Sequence, residues 1–427
     1  MIDIKLIRQN REEVEAKLRT KEPDVDLSAI CRLDEEIRNL KTRNEQLKAE
    51  RNEASKEIGK LKRDGKDPSE VMNRVSGFAE QIHAADAKIN ELENKLNEEL
   101  ASLPNIPSDE AKVSQNVEDN VIVKEWGQKR EFDFEFKNHL ELSESLKLFD
   151  FPRGAKISGT GWPVYRGQGA RLEWALINYM IDTNIKNGFE MMMVPLAVKR
   201  DTIFCSSQLP KFEDQQFHIT DKDYDFFLIP TSEVSLNGLH IDEIIPEEQF
   251  PIKYCAYTPC FRREAGAAGE KERGLIRVHQ FNKVEMFCFT LPEQSREVFD
   301  MMCASAEEIL QGLGLHYRNA LLVTGDMSFA AAYTVDIEVW LPGQNRYYEV
   351  SSVSNCTDFQ SRRSKTRFRK KGEKPELVHT LNGSGLATSR LMVSLLENNQ
   401  NPDGTINIPE VLQSYMGGKK LLTPENE

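Results

Sequence analysis

The first quarter of the chain has seam positions spaced alternately three and four residues apart. This repeat is typical of helices that pack along a narrow apolar stripe, and a Gly/Pro turn signal at 65–68 interrupts it once. Two helices of similar length joined by so short a turn run antiparallel, so the pattern predicts a coiled-coil arm over about 27–103, roughly 50 Å long. The positions are Ile30, Leu33, Ile37, Leu40, Asn44, Leu47, Arg51, Ala54, Ile58 and Leu61, then Val71, Val75, Phe78, Ile82, Ala85, Ile89, Leu92 and Leu96.

The arm by itself does not identify a partner. Antiparallel coiled coils often act as spacers or oligomerisation elements, and the first predicted helix is only mildly basic, with ten Lys/Arg and eight Asp/Glu between positions 27 and 65. Its length and polar faces suit either a protein or the backbone of a nucleic acid. The pattern leaves both open.

The pattern of apolar and polar residues changes after Pro104 and Pro107. Short apolar and aromatic runs now alternate with turn signals and helical stretches. Long crossover helices between successive strands are lacking, so this part is predicted as an α+β fold with an antiparallel sheet. The predicted domains are 1–105 and 106–427. The apolar runs lie at 226–229, 252–257 and 284–289, and helical spacing returns at 172–181, 298–310 and 386–396.

Composition narrows the class of protein. The 427 residues carry a net charge of −13 and 39% are hydrophobic, which is too apolar for a disordered chain. No stretch approaches the roughly 20 apolar residues of a membrane helix, and the N-terminus lacks the apolar core of a signal peptide. The seven cysteines contain no CxxC pair. We therefore expect a cytoplasmic protein without a membrane span, a disulfide framework or structural zinc.

One run is strongly basic despite the negative total. Phosphate binding depends on fields within about a Debye length, roughly 8 Å at physiological salt, so the net charge does not exclude RNA. Taken alone, the run is compatible with a solvated face or with an RNA contact, and both stay open. It comprises Arg362, Arg363, Lys365, Arg367, Arg369, Lys370, Lys371 and Lys374.

The segment 258–287 is the first with candidate chemistry. It is predicted as a strand, a Gly-rich loop and a second strand. Arg262 and Arg277, at the two ends of the loop, could grip a polyphosphate bidentately, and Phe281 offers an aromatic face for a base. Glu285 lies among apolar residues, so it needs a partner such as an ammonium group. A surface hairpin with salt bridges is the alternative.

Two later segments add further candidates. Glu349 and Ser352 lie three apart and both are hard oxygen ligands of the kind that Mg²⁺ prefers, although this pair alone says little. Gly383 and Gly385 allow close backbone approach before a predicted helix that contains Arg390. An ordinary turn into a helix would look the same.

Together these segments resemble motifs 2 and 3 of the class II aminoacyl-tRNA synthetases, and the set is closest to the bacterial type of seryl-tRNA synthetases. The resemblance covers nearly the whole chain. It is carried by the stretches 261–264, 279–285 and 383–390, with supporting matches at 208–212, 230–233, 325–327, 349–352 and 380–384.

The resemblance implies a class II catalytic domain built on a six-stranded antiparallel sheet, preceded by an arm that binds the long variable arm of tRNA(Ser). It implies a cytoplasmic homodimer that acts on RNA and not on DNA. The implied reaction activates L-serine with ATP to seryl-adenylate and transfers serine to the 3′ end of tRNA(Ser), and of tRNA(Sec) where that is present.

The resemblance also implies roles for single residues. The implied catalytic set is Arg262, Glu349 and Arg390. Serine is expected at Thr231, Ser232, Glu233, Arg262, Glu285, Asn382 and Ser384. ATP is expected at Arg262, Arg263, Glu264, Arg277, Val278, Phe281, Glu349, Val350, Ser351, Ser352 and Arg390. Mg²⁺ is expected at Glu349 and Ser352.

Some positions depart from the family pattern. Cys205, Ser206 and Ser207 stand where Gly-Thr-Gly is usual, Tyr333 replaces a common lysine, and Val335 replaces an aromatic residue. These changes concern loop geometry and affinity rather than the reaction.

Two other functions compete with a tRNA ligase. An amino-acid-activating relative could load a carrier protein, but such relatives lack the arm. A coiled-coil RNA-binding scaffold could carry an inactive synthetase-like domain, but the ligand residues Arg262, Glu264, Glu285, Glu349 and Arg390 are all present.

Overall fold

The computed structural model describes residues 1–263 and 273–424. Most of the predicted Gly-rich loop, including Glu264, therefore lies outside the described residues. The chain divides into two compact units, a helical unit of Ile2–Pro104 and a larger unit formed by Met1 and Asn105–Glu427. None of the described helices is both long enough and apolar enough to cross a membrane.

The helical unit contains two long helices that run antiparallel. Ion pairs between them join Lys41 to Glu93 at 2.6 Å and Lys48 to Asp86 at 3.7 Å. Residue numbers thus increase along the first helix while those of the facing residues decrease along the second. The predicted seam is the buried side of both helices. The helices are α1 (Ile4–Gln9), α2 (Arg11–Arg19), α3 (Ser28–Arg63) and α4 (Ser69–Ala101).

One buried position of α3 was not predicted. Asp34 is 3% exposed beside the seam. It is tolerated because the guanidinium groups of Arg8 and Arg38 donate to its carboxylate at 2.8 and 3.0 Å, and they hold its pKa below the usual value against the effect of burial.

The larger unit combines sheets and helices. Its helices are α5 (His139–Leu146), α6 (Phe151–Ser158), α7 (Gly167–Lys186), α8 (Arg200–Cys205), α9 (Glu233–Gly238), α10 (Ser295–Gly312), α11 (Phe359–Ser364), α12 (Thr388–Asn398) and α13 (Glu410–Gln413). Its strands are β1 (Val121–Trp126), β2 (Glu190–Met191), β3 (Ala197–Lys199), β4 (His218–Asp221), β5 (Tyr224–Leu228), β6 (Ile244–Pro246), β7 (Ile252–Phe261), β8 (Gln280–Thr290), β9 (Tyr317–Leu321), β10 (Tyr333–Leu341), β11 (Arg346–Thr357), β12 (Arg367–Arg369), β13 (Glu376–Leu377), β14 (His379–Ala387), β15 (Ile406–Asn407) and β16 (Leu421–Leu422).

The main sheet has the strand order β1-β9-β10-β11-β14-β8-β7-β2. Its six central strands are antiparallel, as predicted, but the sheet is wider than expected: β1 extends one edge and β2 pairs parallel with β7 at the other. The predicted second strand of the loop hairpin begins only at Gln280, since residues 273–276 form a turn, in which Leu275 and Ile276 are buried in the core.

The register of β8 sets the position of the site. Glu285 lies opposite Ser384 of β14 on one side and Ala256 of β7 on the other. Successive side chains of a strand point to opposite faces, so Phe281, Lys283 and Glu285 share one face of β8. The other face packs on the main core, to which α7, α10 and α12 also contribute.

Gly169 shows how closely α7 packs. A Cβ atom at this position would lie 2.4 Å from the carbonyl oxygen of Leu148, and backbone there cannot give way. Gly77 in α4 is the opposite case, since no atom would lie within 4 Å of its Cβ.

We expect Gly169→Ala to lower the free energy of unfolding of the larger unit by about 1–3 kcal/mol, because the added methyl overpacks a rigid contact. Gly77→Ala should instead stabilise α4 by up to about 1 kcal/mol, the helix propensity difference. Urea unfolding followed by tryptophan fluorescence reports the first, since Trp126, Trp162, Trp174 and Trp340 all lie in the larger unit. Circular dichroism reports the unfolding of the Gly77→Ala variant. Equal decreases in the free energy of unfolding of the two variants would contradict the packing explanation.

Candidate active site

Two cavities meet on the face of β8 that carries Phe281, Lys283 and Glu285. The first has a volume of about 210 Å³ and the second about 350 Å³. Four residues line both of them: Arg262, Lys283, Glu349 and Ser384. Groups bound in the two cavities would therefore meet between a guanidinium and a carboxylate.

The first cavity is a groove with basic and aromatic walls. Arg262, Arg277 and Arg390 line it together with Phe281, and the Arg262 guanidinium lies 5.1 Å from the centre of the Phe281 ring. Arg390 donates to the Ile276 carbonyl at 3.3 Å and to a Glu349 carboxylate oxygen at 3.1 Å. Such a groove suits a base and a chain of phosphates.

The second cavity contains buried charges of both signs. Lys283 forms an ion pair with Glu285 and donates to the Thr231 hydroxyl at 2.7 Å. Glu233 accepts from the Asn382 amide at 3.2 Å. Ser384 completes this end of the cavity. The arrangement offers hydrogen-bond partners for a small zwitterion with a polar side chain.

The two buried carboxylates affect each other. Burial raises the pKa of Glu233 to about 7, and the nearby Glu285 charge adds to the rise. A hydrogen bond from Gln360 at 2.6 Å and the charges of Lys283 and Arg262 act in the opposite direction. Glu233 is therefore poised between its two protonation states near neutral pH.

Several expected ligand residues lie elsewhere. The Ser232 hydroxyl is bonded to that of Thr258 at 2.6 Å and lines neither cavity. Val350 is in the main core. The Ser351 hydroxyl donates to the Ser384 carbonyl at 2.6 Å, so Ser351 helps to position the backbone of Ser384. Arg263 is exposed beside the undescribed loop.

Comparison with known proteins decides the family. Residues 1–107 match the seryl-tRNA synthetase N-terminal domain, and residues 212–399 match the tRNA synthetase class II core domain (G, H, P, S and T). The serine–tRNA ligase of Chlamydia abortus is 49% identical over 424 residues, which cover 99% of this chain and 100% of the relative. The chain belongs to the seryl-tRNA synthetase family.

Solved structures of the family superimpose on the whole chain. Seryl-tRNA synthetase from Pyrococcus horikoshii, complexed with ATP, has a TM-score of 0.93 at 36% identity, with 100% of both chains covered. The cytoplasmic serine–tRNA ligase of Naegleria fowleri, in complex with AMP, has a TM-score of 0.89 at 30% identity, with 100% of this chain and 99% of that chain covered. The predicted family and its class II fold are confirmed.

The oxygen ligands expected for Mg²⁺ have suitable chemistry in this chain. Glu349 lines both cavities and Ser352 lines the second. Asp336 is paired with Ser352 across β10 and β11, and one of its buried oxygens has no partner among the described residues. No cluster of three or more His, Cys, Asp or Glu suited to a metal occurs in the described parts of the chain. Mg²⁺ held here would thus need substrate oxygens as well, as is usual for this ion.

Two residues of the site were missed from the sequence. Lys283 lies within the stretch 279–285, but no role was predicted for it. It is two residues from both Phe281 and Glu285, so its side chain lies on the same face of the strand. Gln360, in α11, links the Ser206 carbonyl to Glu233 at 3.3 and 2.6 Å. No local pattern marks Gln360, because its contacts arise only from the tertiary fold.

The basic run does not form one surface. Arg363 is 6% exposed and donates to the carbonyls of Phe204 and Leu209. Arg362 pairs with Asp358, and Arg367 and Lys370 lie 3.4 and 3.5 Å from the acids Asp242 and Glu293. The exposed cations are Lys365, Arg369, Lys371 and Lys374.

Glu173 of α7 lies behind the wall of the first cavity. One of its oxygens accepts from the Asn282 amide at 2.8 Å and from the Thr388 hydroxyl at 2.5 Å. Asn282 is next to Phe281 on β8, and Thr388 opens α12 two residues before Arg390. Glu173 thus ties together the two elements that carry this wall. Burial raises its pKa to about 7, and these two hydrogen bonds only partly oppose the rise.

We expect Glu173→Gln to flatten the pH dependence of folding stability. The folded-state pKa is about 7 against 4.5 for an ordinary glutamate, so the contribution of Glu173 to stability is fully present below about pH 4.5 and is lost as the pH rises through 7. The difference amounts to about 3 kcal/mol at 1.36 kcal/mol per pKa unit. Glutamine keeps the acceptor oxygen and does not titrate.

Urea unfolding at about pH 5 and pH 8 measures this effect. The variant should gain stability relative to the unsubstituted protein as the pH rises. Tyr165 and Tyr257 also face Glu173, but their pKa values are raised above that of an ordinary tyrosine, so they stay neutral in this range. An unchanged stability difference at the two pH values would contradict a titrating carboxyl at this position.

Proposed function

We propose that this chain is a serine–tRNA ligase that activates L-serine with ATP and transfers it to the 3′ end of tRNA(Ser). The observation that carries the proposal is the meeting of an arginine-lined groove and a small charged cavity at Arg262 and Glu349, in a chain of this family. The two cavities would bring ATP and serine together with their reacting atoms at the shared wall.

In the first step, the serine carboxylate attacks the α-phosphate and pyrophosphate leaves. No general base is needed because the nucleophile is already ionised. Arg262 stabilises the charge that develops at the α-phosphate, Arg277 and Arg390 hold the outer phosphates, and Phe281 stacks on the adenine. Glu264 binds the adenine amino group.

Mg²⁺ would be held by Glu349 and Ser352 together with phosphate oxygens. When bound, it supplies charge neutralisation to the phosphates. The Arg390 contact with Glu349 already places this carboxylate at the edge of the groove. Glu349 would then be shared between the metal and the guanidinium.

The second cavity selects the amino acid. Thr231, Glu233 and Glu285 surround the ammonium group, and Glu285, Asn382 and Ser384 hold the side-chain hydroxyl. Alanine would leave these buried polar groups unpaired. Sites built to bind a substrate hydroxyl reject the analogue that lacks it by about 10⁴-fold.

In the second step, a ribose hydroxyl oxygen of the terminal nucleotide attacks the seryl carbonyl carbon. An ester bond forms, the bond from that carbon to the phosphate oxygen breaks, and AMP leaves with the electron pair. The hydroxyl proton passes to the departing phosphate. Arg262 stabilises the charge on this phosphate in the second step as well.

The remaining parts follow from the same proposal. Residues 1–105 form the tRNA-binding domain with its arm over about 27–103, and residues 106–427 form the catalytic domain. The protein acts in the cytoplasm as a homodimer and also charges tRNA(Sec) where that is present. Exposed apolar side chains such as Trp174 and Met193, at 55% and 91%, support burial against a second copy.

The activation step is tested by pyrophosphate exchange. Exchange into ATP should require L-serine, and alanine or glycine should support it at least about 10³-fold less well, because each lacks the hydroxyl. Glu285→Gln is a matched variant, since it keeps the size of the side chain and removes the charge. It should lose most of the exchange. Exchange that prefers alanine or glycine would reject the proposal.

The role of the arm is tested by replacing 33–96 with a short turn. Adenylate formation should stay within about twofold, while charging of total tRNA should fall by at least about 100-fold, because both cavities proposed for activation are lined by residues of the larger unit. Parallel losses of both activities would contradict separate roles. Serine activation by the intact protein without any charging would favour a carrier-protein substrate.

A further inference from the structure

Gln360 lies behind the wall of the second cavity. Its side chain is fully buried in α11 and lines neither cavity, yet its amide joins three segments of the chain. The amide nitrogen donates to the Glu233 carboxylate at 2.6 Å and to the Ser206 carbonyl at 3.3 Å. The amide oxygen accepts from the Thr380 hydroxyl at 2.7 Å. A carbonyl oxygen can only accept a hydrogen bond, so the Ser206 contact determines which way the amide points.

The contact with Gln360 acts on one end of the Glu233 carboxylate. Gln360 and Asn382 both donate to Oε1, at 2.6 and 3.2 Å. No hydrogen bond from the described residues reaches Oε2. Glu233 lines the second cavity. Because the two donors restrict the orientation of the carboxyl group, Oε2 is the oxygen that remains for a ligand in this cavity.

Gln360 is itself held in place by the turn that it contacts. Arg363, about one turn further along α11, donates to the carbonyls of Phe204 and Leu209 at 3.2 and 2.7 Å. Between these two positions, Ser207 has a φ of +74°, in the left-handed region that glycine adopts more easily than serine. Hydrogen bonds that maintain this strained turn also fix α11 against it. The amide therefore reaches the carboxylate from a fixed position.

The hydrogen bond also changes the electrostatics of the carboxylate. Burial raises the pKa of Glu233 to about 7, and the charge of Glu285 adds to the rise. The Gln360 hydrogen bond lowers this pKa, as do the charges of Lys283 and Arg262, while α11 and β14 contribute uncharged amides. A hydrogen bond to the ionised form of an acid favours that form. Loss of the Gln360 donor should thus leave more of Glu233 protonated at neutral pH.

We propose that Gln360 is a positioning residue for serine activation, whose amide holds Glu233 Oε1 so that Oε2 faces the ammonium group of the bound amino acid. The residue acts through Glu233 and does not touch the substrate. The nucleotide groove is lined by other residues, so the effect of Gln360 should be confined to the amino acid. This inference rests on the proposed function.

The test is Gln360→Met, which keeps an unbranched side chain of similar length and removes the amide. In pyrophosphate exchange at about pH 7, KM for L-serine should rise about tenfold or more, because the lost bond is one to a charged group. KM for ATP and kcat should stay within about twofold. An unchanged KM for serine, or equal rises of KM for serine and for ATP, would overturn the assignment.

The pH dependence separates positioning of a carboxylate from a general loss of structure. With the donor removed, the pKa of Glu233 should lie above its present value of about 7, and ionised Glu233 is then recovered only at higher pH. The ratio of the serine KM of Gln360→Met to that of the unsubstituted protein should therefore shrink between about pH 6.5 and pH 8.5. A ratio that does not change with pH would contradict the proposal.

Ser361→Ala is the matched control. Ser361 is also fully buried in α11 and donates to the Val378 carbonyl at 2.6 Å, so its loss disturbs the packing of the helix without removing a contact to Glu233. The melting temperature should fall while KM for serine stays within about twofold. A serine KM that rises as much as in Gln360→Met would assign the effect to helix packing.

Thr380→Val gives a second variant, which decides the question if Gln360→Met does not fold. It keeps the shape of the side chain and removes only the hydroxyl that donates to the Gln360 amide. KM for serine should rise severalfold with KM for ATP unchanged, and an unchanged serine KM would overturn positioning by this amide. If the unsubstituted protein does not exchange pyrophosphate with L-serine, the proposed function itself fails. If it does and the variants match it, only the role of Gln360 fails.

Discussion

The buried ion pair between Lys283 and Glu285 is the interaction on which the rest of the site depends. Both charges stand on a strand whose neighbours are almost all buried, and neither would be tolerated there alone, since breaking a buried pair costs about 3–5 kcal/mol. Lys283 also fixes Thr231, and Glu285 shifts the titration of Glu233. One local pairing on β8 therefore acts on two further residues of the second cavity.

The second cavity combines buried groups of both signs, which is the environment that the proposed binding of a zwitterion requires. The cavity wall contains the acids Glu233, Glu285 and Glu349 and the cations Lys283 and Arg262. Serine adds one charge of each sign. Burial and the Glu285 charge raise the pKa of Glu233 to about 7, so an ammonium group bound beside it would favour its ionised form.

Sequence patterns predicted the parts of the structure that depend on local repetition. The arm followed from the seam positions, and the site from motifs in which Arg262, Glu285 and Arg390 already had the required chemistry. Contacts that depend on distant segments were not predictable. Gln360 meets Glu233 only because α11 folds against α9, and Asp34 is buried only because arginines from two helices neutralise it. The Ser207 strain also became visible only as a backbone angle.

The contact between Arg390 and Glu349 means that part of the positive charge of the groove is compensated within the chain. An incoming phosphate or cation must replace an existing counter-ion and does not enter a bare electrostatic field. The net gain on binding is then a difference between two sets of pairings. Affinity for a phosphate ligand should accordingly respond less to ionic strength than the number of arginines in the groove would suggest, and the pairing reduces the self-repulsion that a cluster of like charges would create.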